Sequence, residues 1–441
     1  MESFNTYASE LAKKIRRRQA RIGVIGLGYV GLPLVHAFCR AGFNVFGFDQ
    51  NKIRIDQIKR RKLGPEEANL IQVSSFIRQG KLSISTNERK LVTCDCIIIC
   101  VPTPLNKIRN PDLSFVRNAL KSIQRNQRKG QLIVLESTVY PGTTDEILLR
   151  ELSRNHNKVG RDFFLSFSPE RIDPGNKAYP LRKIPKVVGG TTKKCTRLTV
   201  DLYRTIMNQV VPVSSPRTSE MTKLLENTFR IVNISLMNEL LPIANRLGIN
   251  LWEVIAAAKT KPFGFMPFYP GPGIGGHCIG IDPIYLSWKA KQEGLRLHFI
   301  EHANRINLSM PRYAVRRAVQ ILKKEFKRPD RSKVFVLGTS YKSNVGDVRE
   351  SPALEIIEQL LKIGATVRYH DPFVPTLQLK DSIYRSIALR GSFLKKQDLV
   401  IIVTAHSNVN YALVLKHAKR ILDTRNVFGK FKGSKANVIQ L

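Results

Sequence analysis

The chain has 441 residues, length for two or three domains, and 43% of them are hydrophobic, which supplies sizeable cores and excludes a disordered polypeptide. Lysine and arginine number 72 against 34 aspartates and glutamates, a formal net charge of +38 that attracts polyanions of any kind at low salt. Six cysteines exclude a disulfide framework and fit a reducing, cytoplasmic setting, and no secretory h-region or long uncharged apolar run predicts export or membrane insertion.

The N-terminal "LAKKIRRRQAR" reads as a short basic helix leading into the first strand, with a transit segment as the other reading. The runs Lys13–Arg18 and Lys59–Lys62 come without an RRM, KH, zinc-finger or homeodomain pattern. They predict solvated basic surface and no specific nucleic-acid site.

Residues 21–49, "RIGVIGLGYVGLPLVHAFCRAGFNVFGFD", read as strand, glycine turn, helix, strand. Gly26, Gly28 and Gly31 give GxGxxG in the context that makes it specific: a strand before, a helix after, and Asp49 ending the next strand. Gly26 permits the tight turn, Gly28 lets backbone approach a pyrophosphate, and Gly31 lets helix and sheet pack closely. The helix N-terminus faces the phosphates. Asp49 accepts from both ribose hydroxyls and repels a 2′-phosphate, so NAD is the expected cofactor.

"CDCIIICVPTPL" (94–105) and "QLIVLEST" (131–138) continue as buried strands, and Cys94, Cys96 and Cys100 are expected on one strand face. No paired CxxC or histidine cluster completes a metal site. Ligands of a parallel sheet bind beyond its carboxyl edge, which places Thr103 and Ser137–Thr138 on the cofactor side. "FFLSFSPERIDPGN" (163–176) puts Glu170 just past another strand.

From about 218 to its stop at Gly248 the pattern is one long helix, which Pro242 is able to kink. Lys223 and Asn227 share a face on it, four residues apart. "INLWEVIAAA" reads as a short helix, and "GPGIGGHCIGID" (271–282) follows, with five glycines around Cys278. After about 330 an α/β pattern restarts: "SKVFVLGTSY", "TVRYHDP" and "DLVIIVTAH" as strands, and "SPALEIIEQLLKIGA" as a helix capped by Ser351 with Pro352 in its first turn. The expected fold is α/β, two Rossmann-like doubly wound domains joined by a long central helix. Its expected divisions are an NAD-binding domain over 1–214, a central helical dimerisation domain carrying the cysteine loop over 215–325, and a C-terminal α/β domain over 326–441.

A cysteine in a glycine loop beside a bound nicotinamide cofactor fits covalent redox chemistry. Lys223 and Asn227 are candidate donors to an oxyanion, and Asp282 a candidate for orienting water. His277 reads as a support residue.

Taken together, "GVIGLGYVGLPL", "VPTPL", "STVYPGTT", "SPERIDPGN", "EMTKLLENTFR", "GPGIGGHCIGIDPIYL" and "YKSNVGDVRESPA" resemble the UDP-glucose/GDP-mannose dehydrogenase family over nearly the whole chain. "KPFGFMPFYPGPGIGGHC" with "RIDPGN" is most similar to its UDP-N-acetylglucosamine 6-dehydrogenase branch, with UDP-N-acetylmannosamine dehydrogenases as near neighbours. The resemblance implies Cys278 as nucleophile and Lys223 and Asn227 as oxyanion donors. It implies Asp282 and Glu170 in water activation and thioester hydrolysis, and Thr138 assisting through a water. It implies Gly26, Gly28, Tyr29, Val30, Gly31, Asp49, Arg54, Thr103 and Thr138 around NAD. Around the UDP-sugar it implies Glu170, Lys223, Asn227, Phe265, Gly275, Lys342 and Arg349. A homodimer or higher homo-oligomer through the central helix is implied too.

The chain departs from the family at two loop positions. UDP-glucose enzymes often carry Lys where this chain has Ile281, which speaks against UDP-glucose, and the hexosamine branch usually has Pro at Gly280, so that loop gains backbone freedom. Two rival readings are a two-electron hydroxyacid dehydrogenase, against which the "GGHC" loop and second α/β region speak, and a polyanion- or nucleic-acid-binding protein on an inactive dehydrogenase scaffold, which rests only on the charge.

Overall fold

The apolar runs beyond residue 20 become two largely parallel sheets in the computed structural model, which describes residues 6–60, 73–173, 178–276, 278–326 and 328–441. Two compact units form. The first holds the described residues up to Glu226 together with Ile284–Leu295, and the second holds Asn227–Pro283 and Arg296–Leu441.

The first sheet contains β1 (Arg21–Ile25), β2 (Asn44–Phe48), β3 (Leu82–Ser85), β4 (Cys96–Ile99), β5 (Gln131–Leu135), β6 (Phe163–Phe167), β7 (Lys186–Gly190) and β8 (Val210–Val213). Its order is β3-β2-β1-β4-β5-β6-β7-β8, and every neighbouring pair is parallel except β6 with β7. The first six strands follow the 3-2-1-4-5-6 order of a dinucleotide-binding sheet. The order reverses between β1 and β4, so the glycine turn and the loop with Thr103 flank the crevice at that point. β4, β5 and β6 are buried along their whole length, as strands covered on both faces must be. The N-terminal basic segment is a helix, Thr6–Arg16, with Leu11, Ala12 and Ile15 buried in the same core. Cys94 precedes β4 and closes a 3₁₀ turn through its N–H on Leu91 O, so it does not share a strand face with Cys96 and Cys100.

The central helix runs Pro216–Arg246, uninterrupted at Pro242. Its C-terminal half contributes Met237, Leu241 and Ala244 to the core of the second unit. Two further helices, Asp282–Gln292 and His298–Phe326, have no counterpart among the elements expected from sequence. In the second unit β9 (Lys333–Leu337), β10 (Thr366–His370), β13 (Leu399–Ile402), β14 (Ile421–Asp423) and β15 (Val438–Gln440) form a parallel sheet in the order β10-β9-β13-β14-β15. The hairpin β11 (Thr376–Leu379) and β12 (Ser382–Arg385) stands apart. Ser351 caps the helix Pro352–Lys362 by accepting from Ala353 N–H, with Pro352 at its first position. The strand order again reverses beside β9, which places the loop carrying Lys342 and Arg349 at that crevice.

Candidate active site

The glycine turn begins where β1 ends. Gly26 sits at φ +92°, and its N–H donates to Phe48 O at 2.8 Å. A Cβ on Gly31 would lie 1.8 Å from the Gly26 carbonyl oxygen, so only glycine lets the helix Gly31–Arg40 start there. A Cβ on Gly28 meets nothing within 4 Å: the backbone is exposed on the side a pyrophosphate approaches. Tyr29 and Val30 are half-buried, and Val30 caps the helix without a side-chain bond, which leaves its first turn to phosphate oxygens. Asp49 braces the turn, accepting from Leu27 N–H at 2.9 Å and Asn51 N–H at 2.9 Å, and carboxylate lone pairs remain for ribose hydroxyls. Arg54 donates from Nε to Leu27 O at 2.8 Å, so it supports the turn. Thr103 and Thr138 are half-buried beyond β4 and β5, and Ser137 Oγ ties the two loops by donating to Val101 O at 2.7 Å. This open turn, uncapped helix and ribose-side carboxylate fit NAD.

Two buried polar clusters surround the chemistry-bearing residues. In the first unit Lys223 Nζ lies 3.7 Å from Glu170 Oε2, both side chains less than a tenth exposed, and Ile172 N–H donates to Glu170 Oε1. Burial raises the Glu170 carboxyl above the ordinary range, against the pull of Lys223, Lys186 and the Ile172 N–H. In the second unit Asn227 Nδ2 donates to Asp282 Oδ2 at 2.5 Å, and both residues are buried. Lys223 and Asn227 are one helical turn apart, as their spacing predicts. Cys278 is half-exposed, and its carbonyl accepts from Ile281 N–H at 3.1 Å and Asp282 N–H at 2.9 Å, a turn that leads into the helix Asp282–Gln292. His277 and the Pro174–Asn176 part of "RIDPGN" lie outside the described residues.

The cysteine loop is not slack. A Cβ on Gly275 would lie 2.5 Å from Glu350 O and 2.9 Å from Tyr341 Cβ, and the next N–H, of Gly276, donates to Arg349 O at 3.1 Å. The loop therefore lies flat on the segment 341–352, and its glycines serve close packing. Gly280 is the exception, with nothing within 4 Å of its Cβ position. Asn307 grips Ile274 at both main-chain groups, 2.7 Å to the N–H and 3.2 Å to the carbonyl, and Asn238 Oδ1 accepts from Gly271 N–H at 2.9 Å. Asn238 was legible: it stands eleven residues after Asn227, three turns along one helix face.

Of the residues expected around the UDP-sugar, Phe265 and Lys342 are half-buried and Gly275 is buried in the packed loop. Arg349 is exposed and clasps Asp347, with Nε 3.0 Å from both carboxylate oxygens and one terminal nitrogen at 2.6 Å. Sequence reasoning missed Arg425, whose Nε donates to Val403 O at 2.8 Å and whose terminal nitrogen would stand 2.6 Å from a Cβ on Gly271. It also missed the anchor of the loop after β9. Asp371 Oδ2 accepts from Thr339 N–H at 2.7 Å, Ser340 N–H at 3.0 Å and His406 Nε2 at 3.0 Å. Asn344 N–H donates to His406 Nδ1 at 2.9 Å, so the imidazole proton sits on Nε2. Burial pushes the Asp371 carboxyl up, but His406 and the main-chain N–H groups outweigh it and hold Asp371 well below the usual carboxylate range.

Comparison with known proteins fits this arrangement. Three segments match the UDP-glucose/GDP-mannose dehydrogenase family: its NAD binding domain over residues 20–207, its central domain over 217–309 and its UDP binding domain over 335–430. The UDP-N-acetyl-D-mannosamine dehydrogenase of Methanocaldococcus jannaschii is 36% identical over 423 residues, 93% of each chain. The UDP-N-acetyl-D-glucosamine 6-dehydrogenase of Pseudomonas aeruginosa is 37% identical over 359 residues, 81% of this chain and 84% of that one. The structure of UDP-D-ManNAc dehydrogenase from Pyrococcus horikoshii superposes with a TM-score of 0.84 at 32% identity, covering 95% of this chain and 98% of the other. The chain belongs to the UDP-glucose/GDP-mannose dehydrogenase family and is an NAD-dependent nucleotide-sugar dehydrogenase. Among the described residues no group of histidine, cysteine, aspartate and glutamate could hold a metal ion, and no helix is long and apolar enough to cross a membrane.

Proposed function

We propose that the protein oxidises C6 of a UDP-N-acetylhexosamine, UDP-N-acetylglucosamine first among them, by four electrons to the uronate for polysaccharide biosynthesis. The observation that carries this reading is the half-exposed Cys278 in the turn that leads into the helix Asp282–Gln292, whose first residue, Asp282, is held by Asn227. The glycine turn would hold NAD, which would supply the hydride acceptor for both oxidations, and the C6 hydroxyl proton passes to solvent in the first. The Cys278 thiolate adds to the C6 aldehyde and forms a C–S bond, and the negative oxygen is met by the Lys223 ammonium and an Asn227 N–H. After the second oxidation the thioester is hydrolysed. Glu170 takes a proton from water, which Asp282 orients and Thr138 steadies through a second water. The hydroxide adds to the carbonyl carbon, the C–S bond breaks, and Cys278 leaves as thiolate while the uronic acid gives up its proton. A carboxyl raised by burial is suited to that base role.

The domain limits 1–214, 215–325 and 326–441 divide these tasks into cofactor, cysteine loop and nucleotide. Lys342, Phe265 and Gly275 stand as substrate contacts, and Arg349 as one once Asp347 releases it. UDP-N-acetylmannosamine is the second reading, because relatives named for both sugars exceed 30% identity. Along the central helix Leu225, Phe229, Leu236, Leu240 and Ile243, with Leu247 just past its end, are exposed at spacings of three, four and seven, an apolar stripe that supports a homodimer. Replacing Leu240 and Ile243 by glutamate should yield monomers in sedimentation velocity; an unchanged mass removes the dimer reading. Six cysteines, none of them in a disulfide, suit a cytoplasmic enzyme.

Purified protein with NAD and a panel of UDP-sugars tests the reaction. Two NADH per hexosamine consumed is expected, with none from Cys278→Ser, which still binds NAD. One NADH per sugar, or uronate formed by the Cys278→Ser variant, overturns the thioester route.

A further inference from the structure

One buried cluster in the first unit is left over from the roles above. β6 and β7 pair antiparallel at Ser166–Gly190 and Phe167–Gly189. The ladder then meets Pro169, which has no N–H to give. Side chains take its place. Ser168 Oγ donates to Val187 O at 2.7 Å, Lys186 Nζ to Pro169 O at 3.1 Å, and an Arg171 terminal nitrogen to Pro185 O at 2.6 Å. These bonds fix the turn on which Glu170 sits.

Lys186 is buried, 5% exposed, and its ammonium also pairs with Glu136 at 2.6 Å. The other Glu136 oxygen accepts from the Tyr203 hydroxyl, and the Tyr203 ring lies 5.1 Å from the same ammonium. A buried pair of this kind is no stronger than well-packed apolar residues, so stability alone does not account for an ammonium here. Its third bond does: the acceptor is the carbonyl immediately before Glu170.

We propose that Lys186 is a positioning residue for Glu170, fixing its main chain through the Pro169 carbonyl and setting an ammonium in its neighbourhood, while Glu136 and Tyr203 hold Lys186 in place. This rests on the reading of Glu170 as the base of thioester hydrolysis. The charges support it: burial raises the Glu170 carboxyl, Lys223 and Lys186 pull it down, and Glu136 pushes it up.

The test compares Lys186→Met, Lys186→Arg, Glu170→Gln and the Lys186→Met/Glu170→Gln pair in single turnovers with UDP-N-acetylglucosamine and NAD, read by intact mass. Lys186→Met should slow hydrolysis about tenfold to a hundredfold, the penalty of a misplaced catalytic group. It should accumulate the acyl group on Cys278, move the acid limb of the pH–rate profile upward, and leave NAD affinity within about twofold. Lys186→Arg should restore the acid limb, and Lys186→Met should slow Glu170→Gln no further. Wild-type hydrolysis and acid limb in Lys186→Met, or losses that add in full to those of Glu170→Gln, overturn the proposal alone. Wild-type hydrolysis in Glu170→Gln overturns the base reading and this proposal with it. Should Lys186→Met not fold, the charge-balanced Glu136→Gln/Lys186→Met variant is held to the same slowed hydrolysis and acyl accumulation on Cys278, with the acid limb near that of the wild type because the two lost charges act oppositely on Glu170.

Discussion

Gly275 and Gly280 stand five residues apart in one loop, yet their surroundings oppose each other. A methyl group on Gly275 collides with the Glu350 carbonyl at 2.5 Å and Pro352 Cδ at 3.0 Å, neither of which is a flexible chain end. Gly275→Ala should therefore lift the loop off Tyr341, cost on the order of 1–3 kcal/mol, and lower activity with it. Gly280→Ala meets no atom within 4 Å, and Gly280 has no left-handed backbone to forbid it. That variant should keep its activity and gain up to about 1 kcal/mol from the narrowed unfolded ensemble. Thermal unfolding of both variants with NADH assays checks this; equal losses at the two sites would show that the loop is not packed as described. Five glycines around a cysteine announced a special loop. They did not announce that most of its glycines serve packing, because Tyr341 and Glu350 lie some seventy residues further along the chain.

The central helix shows the same limit at the scale of an element. Its length, its stop and the shared face of Lys223 and Asn227 are local periodicity, and all are legible. So is the dinucleotide fingerprint, whose strand, turn, helix and acid fall within thirty residues. What Glu220 does is not legible, since its partners lie 76 and 78 residues away. Glu220 is fully buried and accepts from Gly142 N–H at 2.6 Å, Thr144 N–H at 2.8 Å and Thr144 Oγ1 at 2.7 Å, so the central helix caps the turn that opens Thr143–Leu149. Burial outweighs those three donors and pushes its carboxyl up to about 7 from the ordinary 4.5. A folded-state value above the unfolded one favours the fold in the protonated form. That contribution is complete below about pH 4.5 and is lost as pH rises through about 7, on the order of 3 kcal/mol in all. Glu220→Gln removes the titration. Its unfolding midpoint should lose less than the wild type's between pH 5 and 8, with the denaturant midpoint as the measure; parallel curves would mean that the three donors hold Glu220 charged throughout.

Over the whole molecule the excess of positive charge is far larger than the chemistry needs. A small anionic ligand such as a UDP-sugar needs only a few positive charges, while the formal net charge is +38. Distributed charge of one sign acts in two ways. It draws anionic ligands from a distance and raises their encounter rate, and it repels itself within the compact state. Both effects reach only as far as salt allows, about 30 Å at 0.01 M and about 8 Å at 0.15 M. Buried groups such as Lys223, Glu170 and Lys186 are screened far less, so the chemical steps should ignore salt that the encounter step feels. Raising NaCl from 10 mM to 300 mM should therefore lower kcat/KM for the UDP-sugar several-fold, leave kcat nearly constant, and raise the unfolding temperature as self-repulsion fades. Steady-state kinetics and thermal unfolding over that range, with potassium glutamate in place of chloride to separate anion binding from screening, provide the measurement. A kcat that falls in step with kcat/KM would place salt-sensitive charge inside the reaction itself. A flat kcat/KM would mean that the basic surface faces away from the path of the substrate, and that its use lies with some other anionic partner.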